Sequence, residues 1–140
     1  MAKWLDEQAL NETLGKNEDK LYMVQFCTDW CKNCKKVSPL LKDFEEEYSA
    51  DDLRVLLINV DKEIDCAEKH NISSVPTTCI YKGSNLLERI VGAHDREIYQ
   101  RAINRHIDTK PEEIAKKDEL TREADVKIQY DETTAEPLSN

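Results

Sequence analysis

Two cysteines stand two residues apart in the stretch Trp30-Cys31-Lys32-Asn33-Cys34-Lys35. An apolar run typical of a strand, 21–26, precedes this stretch, and a run with helical periodicity, 35–48, follows it. The pair is therefore predicted to lie where a strand passes into a helix. A helix N-terminus carries about half a positive charge, which favours a thiolate over a thiol. Since two intervening residues let the second sulfur reach the first, the pair is a candidate redox site.

Strands and helices are predicted along most of the first 107 residues. Periodicity and turn residues predict a helix over 5–14, a strand over 21–27, a helix from 31 or 34 to about 48, a strand over 53–60, a helix over 61–70, strands over 77–82 and 86–91, and a helix from 94 or 95 to 106. Strand-helix-strand units imply parallel pairing, and the last two strands form an antiparallel hairpin. We therefore expect an α/β fold in which a mixed β-sheet carries helices on both faces.

The C-terminal quarter of the chain differs in composition from the rest. Residues 108–140 contain ten acidic and five basic residues, which is −5 of the chain's net charge of −9, and strongly apolar residues are sparse. Weak patterns predict a helix over 111–125 and an edge strand over 126–130. Because such a composition buries little apolar surface, we predict one domain over 1–107 and an acidic, partly disordered tail over 108–140.

Charge and hydropathy exclude several functions. The net charge of −9 argues against nucleic-acid binding, which depends on Lys and Arg. No apolar run approaches the roughly 18 residues of a membrane span, and the N-terminus lacks the apolar segment of a signal peptide. Five cysteines, an odd number, fit one working pair plus incidental thiols in a reducing compartment. We therefore expect a cytoplasmic protein that contacts no membrane.

The spacing of the two cysteines alone also permits a metal site. Structural zinc needs four ligands, usually from two such pairs, and the other cysteines and histidines lack that spacing. Cys27, Cys31 and Cys34 resemble the iron–sulfur signature of radical S-adenosylmethionine enzymes. Those enzymes have a larger barrel-type fold and usually an aromatic residue where this chain has Asn33. We therefore predict no metal.

The residues around the pair resemble those of the thioredoxin family. The matching motifs are Phe26-x3-Trp30-Cys31-x2-Cys34-Lys35, Pro39, Asn59-Val60-Asp61, Val75-Pro76-Thr77, Gly83 and Gly92. They occur in the order and spacing of the family, from about residue 5 to residue 107. The resemblance implies a thioredoxin-like fold with a cis-proline before the hairpin.

The same resemblance implies a role for each residue of the site. Cys31 corresponds to the exposed nucleophile, and Cys34 to the buried resolving thiol. Pro76 matches the cis-proline that lies against the sulfurs, and the backbone of Val75 would pair with an extended substrate. Trp30 would shape the rim of the site.

Two positions depart from the family pattern. Gln25 stands where many thioredoxins have a buried aspartate, and Leu57 stands where they have its lysine partner. Neither side chain can take the proton from the resolving thiol. We expect a slower resolving step, or a substitute such as a water, Asp29 or Asp61.

The residues between and after the cysteines are predicted to tune the site. Lys32 and Asn33 replace the usual Gly-Pro, and Lys35 adds a second cation near the helix start; Lys36 is interpreted as helix surface. Cations and the helix dipole stabilise a thiolate, so the pKa of Cys31 should lie below the free-thiol value of about 8.5. Stabilising the reduced form should also make the pair a stronger oxidant than ordinary thioredoxin.

The other three cysteines are interpreted as core residues. Cys27 replaces an aromatic residue near the site, where a third redox thiol is the alternative to an apolar filler. Cys66 is predicted on a helix and Cys79 on a strand. His70, His94 and His106 have no evident partner in the sequence.

The leading functional prediction is a monomeric thiol–disulfide oxidoreductase that reduces protein disulfides through Cys31 and Cys34. It would need no bound cofactor, and the resemblance implies electrons from a thioredoxin-reductase-type partner. The lysines leave open a disulfide isomerase or oxidase, or a reductase of small thiols. Gln25 and Leu57 leave open a binding module of the same fold in which the redox role is secondary.

Overall fold

A computed structural model describes residues 3–108 and 136–137. In chain order, its elements are β1 (Lys3–Trp4), α1 (Glu7–Gly15), β2 (Leu21–Cys27), α2 (Lys32–Glu47), β3 (Leu53–Asn59), α3 (Ile64–Lys69), β4 (Ser74–Val75), β5 (Thr77–Lys82), β6 (Asn85–Val91), α4 (Arg96–His106) and β7 (Glu136–Pro137). The order β2-α2-β3-α3-β5-β6-α4 confirms the sequence prediction.

Five of the strands form one mixed sheet in the order β1-β3-β2-β5-β6. The strands β1, β3 and β2 run parallel, whereas β5 is antiparallel to β2 and β6 is antiparallel to β5. All seven residues of the central strand β2 are buried, as a strand with neighbours on both edges and cover on both faces requires. The two remaining short strands, β4 and β7, pair with each other antiparallel.

Helices cover both faces of the sheet. Alternate residues of β2 point to opposite faces, so Tyr22, Val24 and Phe26 pack with residues of α1 and α3, whereas Leu21 and Met23 pack with residues of α2 and α4. Two apolar cores result. The first core also contains the cysteine pair, so the site is joined directly to the packing between α1, α3 and the sheet.

The boundaries of the predicted elements lie within about three residues of those in the structure. The helix predicted over 61–70 begins later, at Ile64, and α2 continues through Pro39 to Glu47. The two-residue strands β1, β4 and β7 were not predicted, because two residues are too few to show a period. The helix predicted over 111–125 and the strand over 126–130 lie outside the described residues. The predicted domain boundary at residue 107 also stays a prediction.

The peptide bond between Val75 and Pro76 is cis, which confirms the cis-proline expected before the hairpin. The loop that contains it is held to the sheet on both sides. The Gly92 amide donates a hydrogen bond to the Pro76 carbonyl at 2.8 Å, and the Thr77 hydroxyl donates to the Ser74 carbonyl at 2.8 Å. Within residues 3–108 and 136–137, no helix has both the length and the apolar character that crossing a membrane requires.

Candidate active site

The cysteine pair lies at the junction between β2 and α2. Cys31 is the N-cap residue of α2, in an extended conformation, and its Sγ accepts a hydrogen bond from the Cys34 amide at 3.0 Å. An N-cap side chain normally uses an oxygen for this bond to the third helical residue, and here a sulfur takes that place. The first turn of α2 contains no acidic residue. The local field at Cys31 therefore favours negative charge on its sulfur.

The two cysteines form a disulfide, with their Cα atoms 5.3 Å apart. In this oxidised form Cys31 has 0% and Cys34 has 4% of its surface exposed. The expectation that Cys31 is exposed is therefore wrong for this state. Its sulfur is turned towards the N-terminus of α2, where it accepts the Cys34 amide, and the residue packs in the first apolar core. The buried position expected for Cys34 is confirmed.

Val75 belongs to the same cluster of buried residues as Cys31 and Cys34. The residue before the cis-proline and the disulfide therefore share one apolar core. Val75 is completely buried, and its backbone is already in a β-ladder, because Val75 pairs with Glu136 of β7. Sequence reasoning missed this pairing.

The rim of the site carries an exposed tryptophan and several charges. Trp30 has 49% of its surface exposed, and its indole N–H donates a hydrogen bond to Oδ2 of Asp61 at 2.9 Å. Asp61 is held in turn, because its amide donates to Oδ1 of Asn59 at 3.0 Å. Lys32 and Lys35 are exposed. The carboxylate of Asp61 thus orients Trp30, while its predicted role as a proton acceptor stays a prediction.

Gln25 lies in the middle of β2 and has 0% of its surface exposed. It is in register with Leu57 on one side and Thr78 on the other. Among the described residues, neither its amide nitrogen nor its amide oxygen has a hydrogen-bond partner. A glutamine side chain does not ionise, so it cannot take a proton as a buried carboxylate would.

The other three cysteines are buried thiols outside the disulfide. Burial and the nearby carboxylate of Asp29 raise the pKa of Cys27 to about 12. Burial raises the pKa of Cys79 to about 12 against the opposing effect of Arg89, and burial together with Glu7 raises the pKa of Cys66 to about 11. These thiols stay protonated and unreactive at neutral pH, which favours the apolar-filler interpretation of Cys27.

The three histidines have structural contacts that the sequence did not suggest. Nδ1 of His70 is 2.9 Å from the Tyr81 hydroxyl, and Nε2 of His94 is 2.7 Å from the Val91 carbonyl. Nε2 of His106 is 2.9 Å from Oε1 of Glu88. In the part of the chain that the structure describes, no three His, Cys, Asp or Glu side chains are grouped as a metal site.

Comparison with known proteins agrees with this geometry. A protein-family model described as Thioredoxin matches residues 2–105. Thioredoxin-T of Drosophila melanogaster is 39% identical over 89 residues, which are 64% of this chain and 56% of that protein. The match thus spans little more than half the length of that relative. Thioredoxin-2 of Saccharomyces cerevisiae is 40% identical over 82 residues, which are 59% of this chain and 77% of that protein.

Solved thioredoxin structures also resemble this chain. The reduced thioredoxin of Schistosoma mansoni superimposes with a TM-score of 0.67 at 30% identity and covers 74% of this chain and 96% of its own. The thioredoxin of Malassezia sympodialis superimposes with a TM-score of 0.68 at 23% identity, covering 76% of this chain and 91% of its own. The second comparison supports the fold alone.

Proposed function

We propose, since this chain belongs to the thioredoxin family, that Cys31 and Cys34 reduce protein disulfides by dithiol–disulfide exchange. The reaction type, thiol–disulfide oxidoreduction, follows from the family and from the Cys31–Cys34 disulfide. The individual residue roles, the electron donor and the direction of the reaction in the cell belong to the proposal.

The cycle starts from the reduced protein. The Cys31 thiolate attacks one sulfur of the substrate disulfide, so a mixed disulfide forms and the other substrate sulfur leaves as a thiolate. Cys34 then loses its proton and attacks the Cys31 sulfur, which breaks the mixed disulfide and releases the second substrate thiolate. The substrate gains two electrons and, after protonation, two protons. The protein is left with the Cys31–Cys34 disulfide that the structure contains.

One observation carries this proposal: Cys31 is the N-cap of α2 and accepts the Cys34 amide at 3.0 Å. The amide supports negative charge on the sulfur that must attack, and the same turn places Cys34 within bonding distance for the second step. Lys32 and Lys35 add positive charge on the exposed side. Substrate contacts are proposed for Trp30 at the rim and for the backbone of Val75 beside Pro76.

The reduced form must be regenerated by another protein. We propose a thioredoxin-reductase-type donor and no bound cofactor, because exchange between cysteines needs only thiolate character and access. The protein would act as a monomer in the cytoplasm. Three further thiols outside any disulfide, Cys27, Cys66 and Cys79, support a reducing compartment.

Two measurements test the proposal. Insulin reduction coupled to a thioredoxin reductase should proceed with the wild type and stop with Cys31→Ser. Cys34→Ser should accumulate mixed disulfides with protein substrates, and the matched buried variant Cys79→Ser should not. A chain that neither turns over insulin nor forms mixed disulfides would point instead to a binding module of this fold.

An oxidase or isomerase is the second candidate function. It is favoured by the absence of acidic residues in the first turn of α2, together with the exposed Lys32 and Lys35. These features stabilise the thiolate and therefore the reduced protein, which makes its disulfide a stronger oxidant. Refolding of a reduced, unfolded test protein distinguishes an oxidase from a reductase. An oxidase would form disulfides in the test protein faster than it would reduce insulin.

A further inference from the structure

The strand β7 lies on the edge where the proposed function places the substrate. Its two residues pair antiparallel with β4, in the register Ser74 with Pro137 and Val75 with Glu136. They are the described residues of a region that sequence composition marks as an acidic tail. The contact joins this part of the tail to the residue that precedes the cis-proline.

The register of β4 and β7 indicates which backbone groups form the hydrogen bonds between them. In an antiparallel ladder, pairs that exchange two hydrogen bonds alternate with pairs that exchange none. Pro137 has no N–H, so the pair Ser74–Pro137 must be of the second kind. The pair Val75–Glu136 is then the one that exchanges both bonds. The N–H and the carbonyl of Val75 are therefore the groups that β7 occupies.

The same backbone groups of Val75 are those proposed to receive an extended substrate segment. A single edge accepts one added strand, so β7 and a substrate cannot pair with Val75 together.

We propose that Glu136–Pro137 is an intramolecular competitor that occupies the substrate edge at Val75 and that a disulfide substrate must displace. This inference rests on the proposed function and adds a regulatory segment to it. Residues 109–140 contain no cysteine, so the segment binds the edge without being consumed by the reaction. Because the segment belongs to the same chain, its competition does not depend on protein concentration.

The contact is short enough to be displaced. The ladder has two residues, and Pro137 contributes no donor to it. A substrate that offers a longer extended segment beside its disulfide can make more backbone bonds to the same edge. The competitor therefore selects for protein disulfides in extended segments over small disulfides that have no backbone to pair with.

The test compares two proline substitutions in the full chain. Glu136→Pro removes the remaining backbone donor of β7, whereas Glu132→Pro makes the same exchange four residues earlier, outside β7. For insulin reduction, Glu136→Pro should lower KM about two- to tenfold, the effect of one backbone hydrogen bond, and leave kcat unchanged. Glu132→Pro should behave as the wild type. A synthetic peptide of residues 131–140 should raise KM of Glu136→Pro competitively, and a scrambled peptide should not.

Two further readouts report on the contact without any substrate. Amide hydrogen exchange at Val75 should be faster in Glu136→Pro than in Glu132→Pro, and so should alkylation of Cys31 by iodoacetamide in the reduced proteins. Equal KM values in the two variants would overturn the proposal even if insulin is turned over normally. Absence of turnover in all forms would instead reject the proposed function. Faster exchange and alkylation in Glu136→Pro would then still support occupation of this edge, and equal rates would overturn it.

Discussion

Gln25 lies directly opposite Thr78 in the antiparallel pair of β2 and β5, and both side chains are completely buried. Within the described part of the chain, the amide of Gln25 and the hydroxyl of Thr78 have no hydrogen-bond partner. A buried polar group without a partner costs about 1–3 kcal/mol of stability. The centre of the sheet therefore contains polar groups that do not stabilise it.

Thr78→Val should stabilise the protein. Valine has nearly the same shape, favours strands and removes the buried hydroxyl, so we expect the free energy of unfolding to rise by about 1 kcal/mol. Thr77→Val is the matched control at the adjacent position. It should lower the free energy of unfolding by about 1 kcal/mol, because it deletes the hydrogen bond from the Thr77 hydroxyl to the Ser74 carbonyl. Urea unfolding of the oxidised proteins measures both changes, and a loss of stability in Thr78→Val would show that its hydroxyl has a partner in solution.

Gln25→Asp should accelerate the resolving step. A carboxyl group at this completely buried position would have a pKa raised by desolvation, so it could exchange a proton near neutral pH. We expect kcat for insulin reduction to rise, and its pH profile to gain an ionisation that the wild type lacks. Gln25→Asn has nearly the same size as the aspartate variant but cannot titrate, so it should show no gain.

The readout is the decay of a preformed mixed disulfide at Cys31, followed at pH 6 to 9. If Gln25→Asp and Gln25→Asn release the substrate at the same rate throughout that range, another group already removes the proton from Cys34. Asp29 and Asp61 would then be the next residues to change, with Asp61→Asn also testing the hydrogen bond to Trp30.

The sequence predicts those parts of this molecule that have a periodic apolar pattern or match a motif. The strand β3, the hairpin of β5 and β6 and the cis bond at Pro76 each have a local signal in apolar runs, turn glycines or family motifs. The pairing of Glu136 with Val75 has none, because it joins two residues about sixty positions apart through a ladder too short to have a period. Burial of Cys31 is likewise a property of the packed, oxidised state, which local spacing does not report.

Glu88 is a third feature without a clear local signal. It lies in the middle of β6, buried, with its carboxylate bonded to Arg105 at 2.5 and 2.8 Å and 2.9 Å from Nε2 of His106. Burial alone would raise the pKa of Glu88, but the hydrogen bonds from His106 and Arg105 outweigh it and lower the pKa to about 2. The sequence shows a charged residue in a predicted strand, but it does not show that the end of α4 places Arg105 and His106 beside it.

Glu88→Gln should therefore change the acid stability of the protein. A pKa lowered from the ordinary 4.5 to about 2 contributes about 3 kcal/mol of stability above pH 4.5, which is lost as the pH falls towards 2. The variant should be less stable than the wild type at pH 7, and the difference should shrink towards zero near pH 2. Glu97→Gln, which breaks an exposed pair with Arg101, should cost less than about 1 kcal/mol. Urea unfolding at pH 7, 5, 4 and 3 measures the difference in the free energy of unfolding between Glu88→Gln and the wild type. A difference that does not depend on pH would contradict the role of the Glu88 carboxylate.

The redox potential of the pair is the property that the charges at the start of α2 should set. The sulfur of Cys31 accepts a hydrogen bond from the Cys34 amide, and Lys32 is the next residue in the chain. The first turn of α2 contains no acidic residue. We expect the wild-type potential to be less reducing than the roughly −270 mV of thioredoxin, measured by equilibration with glutathione. Lys32→Glu should destabilise the Cys31 thiolate and make the potential more reducing by about 40 mV, since it removes one positive charge and adds one negative charge, each contributing about 1 kcal/mol near the sulfur. Lys42→Glu makes the same change ten residues later in α2, about 15 Å along the helix and beyond the screening length, so it should leave the potential unchanged. A wild-type potential at or below that of thioredoxin, or equal shifts in the two variants, would show that the lysine beside Cys31 does not tune the site.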